Sequence, residues 1–286
     1  MRGEENCTGE DSIVITRFAP SPTGLLHRGH AFSAMTAFDA AQAAGGRLLL
    51  RIEDIDTARC RPEFEAAIFE DLAWLGLTWD EPVVVQSRRL GRYAAALARL
   101  AEAGLLYRCF KTRTEVAQAI GRAPHGAEPA FFGEPLGEAE EAKRVAAGEP
   151  FAWRLSIRAA ERALGGFAGL TFSEEGEGVI IADPWRAGDV ILARKDLGVA
   201  YHLAAVVDDG ESGVTQVIRG QDLKDACHVQ RLLQALLGLP APTYRHHRLI
   251  LRADGRRLAK RDTAETLRGL RSAGVAPAAL RAQFEL

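Results

Sequence analysis

Residues 11–46, "DSIVITRFAPSPTGLLHRGHAFSAMTAFDAAQAAGG", decide the fold. Ile13, Val14 and Ile15 form an apolar run of strand length. A turn rich in proline and glycine follows, and then an alanine-rich stretch whose apolar residues recur at helical spacing. Gly45–Gly46 supplies the helix stop. A strand, a loop and a helix in this order present the helix start to a phosphate. His27 and His30 are predicted on one face of the first helical turn. Taken alone, H-x-G-H also fits a surface turn with two incidental histidines, so the surrounding pattern has to decide.

Working outward, "RLLLRIEDID" (47–56) is a second buried strand that ends in carboxylates. "RPEFEAAIFEDLAWLGL" (61–77) and "SRRLGRYAAALARLAEAGLL" (87–106) read as helices, the first opened by Pro62 and closed near Gly76. A strand–helix–strand unit of this kind implies a parallel sheet with a right-handed crossover, whose ligands sit at the carboxyl ends of the strands. That puts the His27/His30 loop and the end of the second strand around one crevice. Residues 1–12 are expected to be a flexible polar tail and residues 13–106 the first half of the α/β unit. From 107 to 200 glycine, proline and charge interrupt the pattern. This reads as an insertion with little regular structure over 107–150 beyond one short helix. The sheet's second half is expected over 201–244, and residues 245–286 as a loop followed by a helical segment.

Composition narrows the classes. A 286-residue chain with 47% hydrophobic and 26% charged residues is ordinary globular material. No stretch resembles a signal peptide or a membrane span. The four cysteines, Cys7, Cys60, Cys109 and Cys227, form no C-x-x-C pair, which fits a reduced, cytoplasmic setting. Net charge is −2, yet residues 241–286 hold ten Lys/Arg against four Asp/Glu, a local +6. A basic end of this kind fits phosphate binding and also fits a solvated helical surface.

Near that end stands "LRADGRRLAKRD" (251–262), a turn followed by clustered cations. By itself it is either a solvated basic loop or a cationic clamp on a polyphosphate. With "RFAPSPTGLLHRGH", "LRIEDID", "YHLAAVVDD", "VIRGQDL" and "RRLAKRD" in this order, the chain resembles the glutamate-type class I aminoacyl-tRNA synthetases from about Ile13 to Asp262. The resemblance implies a Rossmann-type α/β catalytic domain with a parallel sheet interrupted by an insertion and a short helical C-terminal part. The chain stops soon after the second motif, which leaves an expectation of no anticodon-binding domain. That truncation is similar to the branch of the family that esterifies queuosine in tRNA(Asp).

The resemblance also implies roles. His27, Gly29 and His30 would bind ATP, with both histidines stabilising the transition state at the α-phosphate. Lys260 of the KMSKS-like motif would hold the leaving pyrophosphate. Arg17, Ala19, Ser21, Glu53, Tyr201 and Arg219 would bind L-glutamate. Glu53, Ser21 and the backbone at Ala19 would take its ammonium, and the two arginines and the tyrosine its side-chain carboxylate. A structural ion pair is the competing reading for Arg219 and Glu53, and a core tyrosine that for Tyr201. ATP with Mg²⁺, L-glutamate and queuosine-bearing tRNA(Asp) are the implied partners of a monomer without a membrane. Charging of a tRNA 3′ end and a catalytically silent RNA-binding relative stay open as alternatives.

Three departures stand out. Arg28 occupies the usually apolar slot of H-x-G-H and is expected to reach solvent or a phosphate. Ala259 replaces a serine in the second motif. Where many relatives bind zinc, this chain keeps Cys109 but has Lys111 at the next cysteine's place. A lone cysteine with His125 cannot complete four N/S ligands. Zinc is therefore expected to be absent, with Phe110, Phe131 and Phe132 packing in its stead.

Overall fold

The computed structural model describes residues 13–120, 130–194, 198–251 and 266–286. Lys260 and the rest of its motif, His125 and Cys7 lie outside the described residues.

The first half runs β1 (Ile15–Phe18), α1 (Arg28–Ala43), β2 (Arg47–Ile52), α2 (Pro62–Trp74), β3 (Asp80–Val85) and α3 (Leu90–Glu102). β2 pairs in parallel with β1 on one side and β3 on the other. β3 was not expected from the sequence, where 61–106 reads as two successive helices. It is a partly exposed edge strand in which the short run Val83–Val85 directly follows Pro82, with no alternation to mark it as a strand. Gly46 lets β2 start beside β1, because a Cβ there would lie 2.0 Å from the Val14 carbonyl oxygen.

The chain then forms β4 (Leu106–Cys109), α4 (Arg113–Ile120), α5 (Glu138–Ala146), β5 (Ala152–Leu155), α6 (Ile157–Leu164), β6 (Thr171–Glu174), β7 (Gly178–Ile181), β8 (Ile191–Arg194) and β9 (Gly198–Val199). Residues 107–150 thus carry more regular structure than expected. β4, β5, β8 and β9 make an antiparallel sheet of their own. β6 and β7 do something different: they leave that sheet and extend the one that follows.

The second half comprises α7 (Tyr201–Glu211), β10 (Gln216–Gly220), α8 (Ala226–Leu237) and β11 (Thr243–His247). β10, β11 and β6 pair in parallel, and β7 is antiparallel at the edge. The two halves meet where the Thr215 N–H donates to the Ile15 carbonyl (2.9 Å) and the Ile15 N–H to the Thr215 hydroxyl (2.9 Å). β1 and β10 are therefore neighbours, and a crevice opens beyond their carboxyl ends, where such sheets bind ligands.

Two short helices close the chain, α9 (Leu267–Ser272) and α10 (Pro277–Phe284). Their Leu267, Leu280 and Phe284 are buried in the same core as α1, β2 and α2. Each such side chain contributes about 1.5–3 kcal/mol by leaving water. Arg281 adds a two-pronged bond to Asp39 of α1, at 2.7 and 3.0 Å. Arg28 is explained here: its Nη2 donates to Gln283 Oε1 at 2.8 Å, so it ties the start of α1 to α10. No helix among the described residues is long and apolar enough to cross a membrane.

Candidate functional site

α1 begins on the motif that opened the sequence reading. His27 is its N-cap, in extended conformation, and its Nδ1 accepts from the Gly29 N–H at 3.2 Å. His30, three residues on, accepts the His27 N–H on its own Nδ1 at 3.1 Å. This is a capping box in which both partners are histidines. The rings lie 3.8 Å apart, centroid to centroid. Because each Nδ1 accepts, the ring proton of each sits on Nε2. No acidic side chain occupies the first turn of α1, so its own side chains leave the positive end of the helix dipole uncompensated.

Beside this helix start lies a cavity of about 440 Å³. His27, Gly29 and His30 line one wall. Arg17, Ala19 and Ser21 enter from the end of β1, and Glu53 from the end of β2. Tyr201, the first residue of α7, and Arg219 of β10 complete it. The structure thus brings together every expected site residue that it describes.

Their immediate partners differ from one another. Arg17 is buried, and its Nε donates to Asp209 Oδ1 at 3.1 Å and its Nη1 to the Ile218 carbonyl at 3.4 Å. Arg51 reaches the same Asp209 oxygen at 2.5 Å and Glu53 Oε1 at 3.0 Å. Burial opposes ionisation of Asp209, but the two guanidiniums outweigh it and hold the carboxyl below the usual range. For Glu53 burial wins and its carboxyl is pushed up, although Arg51 pulls the other way. The ion pair of Glu53 is therefore with Arg51, on its own strand, and involves one of its two oxygens.

Arg219 is also buried, yet none of its partners is a carboxylate. Its Nε donates to His246 Nε2 (3.1 Å), and its Nη1 to Gln230 Oε1 (2.9 Å) and the Tyr201 hydroxyl (3.4 Å). Its Nη2 donates to the Leu223 carbonyl (3.0 Å) and approaches Cys227 Sγ (3.0 Å). A buried cation held by neutral acceptors retains its charge for a visiting anion.

A second cavity of about 640 Å³ shares Ser21, Glu53 and Tyr201 with the first. Asp56, Thr57 and Ser87 give it polar walls, and Ile55, Leu90 and Val199 apolar ones.

Sequence reasoning missed Arg51, Asp209, Gln230 and His246. The first two had a readable signal, a charge inside a buried strand and an aspartate closing an apolar run. The last two had none, because only the meeting of β10, β11 and α8 gives them a purpose.

In the insertion, Cys109 is buried with Tyr107 and Phe131. Phe110 packs against Phe151 (5.6 Å) and Phe132 against Trp185 (5.3 Å). The Asp189 carboxylate organises the region by accepting from the Tyr107 hydroxyl and the Gly133 and Ile157 N–H groups, each at 2.9 Å. Among the described residues no group of three His, Cys, Asp or Glu could hold a metal ion.

A parallel α/β sheet split by an insertion, with paired histidines at a helix start beside the crevice, defines a catalytic domain of the class I synthetase kind. The chain belongs to the family described as tRNA synthetases class I (E and Q), catalytic domain, which residues 13–286 match. It is 46% identical over 284 residues to the glutamyl-Q tRNA(Asp) synthetase of Rhodobacter capsulatus, covering 94% of this chain and 98% of that one. To the protein of the same name from Nocardia farcinica it is 44% identical, covering 91% of this chain and 80% of the other. Among solved structures it is similar to the glutamate-tRNA synthetase of Elizabethkingia anophelis, at TM-score 0.73 and 29% identity. That match covers 88% of this chain and 53% of the other, so the chain spans about half the length of that synthetase.

Proposed function

We propose that this protein is a ligase that activates L-glutamate with ATP to glutamyl-adenylate and transfers the glutamyl group to queuosine in tRNA(Asp). The observation that carries the first step is Arg219, a buried guanidinium without a carboxylate partner, in the same cavity as His27 and His30. The names of the 46% and 44% identical relatives support the choice of acceptor.

In this reading the ATP phosphates lie at the start of α1. The Nε2–H groups of His27 and His30 stabilise charge on the α-phosphate, and Gly29 leaves room for the triphosphate between them. Glutamate places its side-chain carboxylate on Arg219, Arg17 and the Tyr201 hydroxyl. Its ammonium lies against Glu53, Ser21 and the backbone at Ala19. An α-carboxylate oxygen attacks the α-phosphorus, the bond to the bridging oxygen breaks, and pyrophosphate leaves toward Lys260. An acceptor hydroxyl entering from the second cavity then attacks the activated carbonyl and AMP departs. Catalysis is positioning plus charge stabilisation, without a side-chain nucleophile. Mg²⁺ would arrive with ATP and would supply positive charge to its phosphates. The described residues offer no cage of three ligands for it. A glutamine amide would leave Arg219 without a counter-charge, which rejects glutamine. The same reading places the protein in the cytoplasm as a monomer.

The test is transfer of labelled glutamate onto two tRNA pools, one from queuosine-replete cells and one from cells unable to make queuosine. Label confined to the replete pool is expected. Equal label on both would replace the acceptor with a tRNA 3′ end. Label on neither, with no glutamate-dependent ATP–pyrophosphate exchange, would leave a silent RNA-binding relative.

A further inference from the structure

We propose that Glu174 and His246 are positioning residues that set the orientation of Arg219 and preserve its charge for the substrate's side-chain carboxylate. The proposal rests on the reading that Arg219 receives that carboxylate.

Three elements meet behind Arg219. Glu174 ends β6 and is buried, and both its oxygens lie near His246 Nδ1, at 2.8 and 3.0 Å. The Glu174 Oε1 also accepts the His246 backbone N–H at 3.0 Å, which holds the carboxylate in place. The far side of the imidazole, Nε2, lies 3.1 Å from Arg219 Nε. Since a guanidinium N–H can only donate, Nε2 must be the acceptor and the ring proton must reside on Nδ1, facing Glu174. A carboxylate thus selects one imidazole tautomer, and that tautomer selects one guanidinium orientation. The same logic governs histidines held by a carboxylate beside metals and nucleophiles.

The arrangement solves an electrostatic conflict. A carboxylate in direct contact with Arg219 would neutralise it and compete with the substrate. A buried guanidinium with no anion nearby would be too costly. Setting Glu174 one imidazole away offsets the charge from a distance and leaves Arg219, whose N–H groups all rest on neutral acceptors, without a carboxylate in contact. Burial and the neighbouring Arg219 draw the His246 pKa below its ordinary value, although Glu174 pulls it up. Neutral His246 is the form the geometry requires. The other groups facing it are Cys227 of α8, with Sγ at 3.8 Å, and Tyr244, whose ring stacks at 6.2 Å; Lys224 adds a more distant repulsion. Acidification that protonates His246 would set an Nε2–H against the Arg219 Nε–H and break the chain of contacts.

Two measurements on the full-length protein test this. In ¹⁵N-histidine-labelled protein, long-range ¹H–¹⁵N spectra should show His246 as the Nδ1–H tautomer at pH 7.5, its signals assigned by their loss in H246Q. An Nε2–H tautomer would overturn the proposal, whatever the protein's activity. In ATP–pyrophosphate exchange, E174Q and H246A should raise KM for glutamate about tenfold while leaving KM for ATP unchanged, as expected for a contact to one substrate only. H246Q, which can still offer an oxygen to Arg219, should recover part of the loss. An unchanged glutamate KM in folded E174Q and H246A would refute the positioning role. Should the unsubstituted protein show no glutamate-dependent exchange, the functional reading fails, while the tautomer still decides the relay.

Discussion

His27 and His30 cap α1 reciprocally: His27 Nδ1 accepts the Gly29 N–H of the first turn, and His30 Nδ1 accepts the N-cap N–H of His27. The same pair therefore does structural work with Nδ1 and carries its ring protons on Nε2. Helix capping and phosphate chemistry are separable on these two rings. An asparagine at position 27 can cap but cannot supply an imidazole N–H. H27N should remain close to the parent in stability, whereas H27A should lose about 1 kcal/mol. Both should lose about a hundredfold in ATP–pyrophosphate exchange, as for a deleted transition-state donor. Urea unfolding and exchange assays on the two variants check this. An active H27N would remove the ring from the chemistry.

Asp209 holds Arg17 and Arg51 together beneath the cavity. D209N leaves two buried guanidiniums without their shared anion and should cost about 3–5 kcal/mol. Because its folded pKa lies below the ordinary 3.8, the contribution of Asp209 is complete above that value and is lost as pH falls through the folded one. D209N should therefore abolish part of the acid unfolding transition, as followed by circular dichroism.

Asp71 has the opposite sign. It is fully buried in α2, neither oxygen has a hydrogen-bond partner, and its nearest cation, Arg271, is 3.9 Å away. Burial pushes its carboxyl from 3.8 up to about 6, against the pull of Arg271 and Arg268. Its favourable protonation is complete below pH 3.8 and lost as pH rises through about 6. The difference is about 3 kcal/mol at 1.36 kcal/mol per pKa unit. Half-buried His202, drawn down to about 4, acts in the other direction. Comparing D71N with the parent isolates the aspartate: the stability of the variant relative to the parent should rise between pH 4 and pH 7. A constant difference would refute the assignment.

Phe284 packs edge-on against Phe32 of α1 at 5.3 Å, and its carbonyl accepts from Arg248 at 2.9 Å. F284A should cost about 3–5 kcal/mol, as for other truncated core aromatics, and release α10 from the helix that carries the histidines. Hydrogen exchange should show faster exchange across α10 and the start of α1 together. Faster exchange in α10 alone would show the two to be uncoupled.

The insertion is expected to hold without zinc. Asp189 ties β4, the segment at Gly133 and the start of α6 through three hydrogen bonds, and Gly188 lets the chain pass close to Phe131. A chelator should leave the unfolding temperature unchanged, whereas D189A should lower it by several degrees, on the scale of a lost buried network. Stoichiometric zinc in purified protein would overturn this.

The first strand, the loop and the first helix were legible in residues 11–46 because local spacing and capping chemistry dictate them. The carboxylates after β2 were legible for the same reason, since Arg47–Ile52 is an almost continuous buried run. Edge strand β3 was not, because half-exposure and Pro82 erase its pattern. Nor was the destination of β6 and β7, since β6 pairs with β11 some seventy residues later in the chain and carries β7 with it at the edge.

The sequence by itself determined which groups could do chemistry: the paired histidines, the carboxylates after β2, and the arginines at 17 and 219. Only the tertiary structure decided how each is charged and aimed. It gave Asp209 to Arg17, Arg51 to Glu53, and a neutral imidazole backed by Glu174 to Arg219. Arg28, unreadable as a departure in one motif, acquired a partner only when α10 folded back onto α1. The physical reason is common to all of these cases. Local order follows from backbone propensity and spacing, whereas the state of a buried charge depends on neighbours that long-range packing alone brings within hydrogen-bond distance.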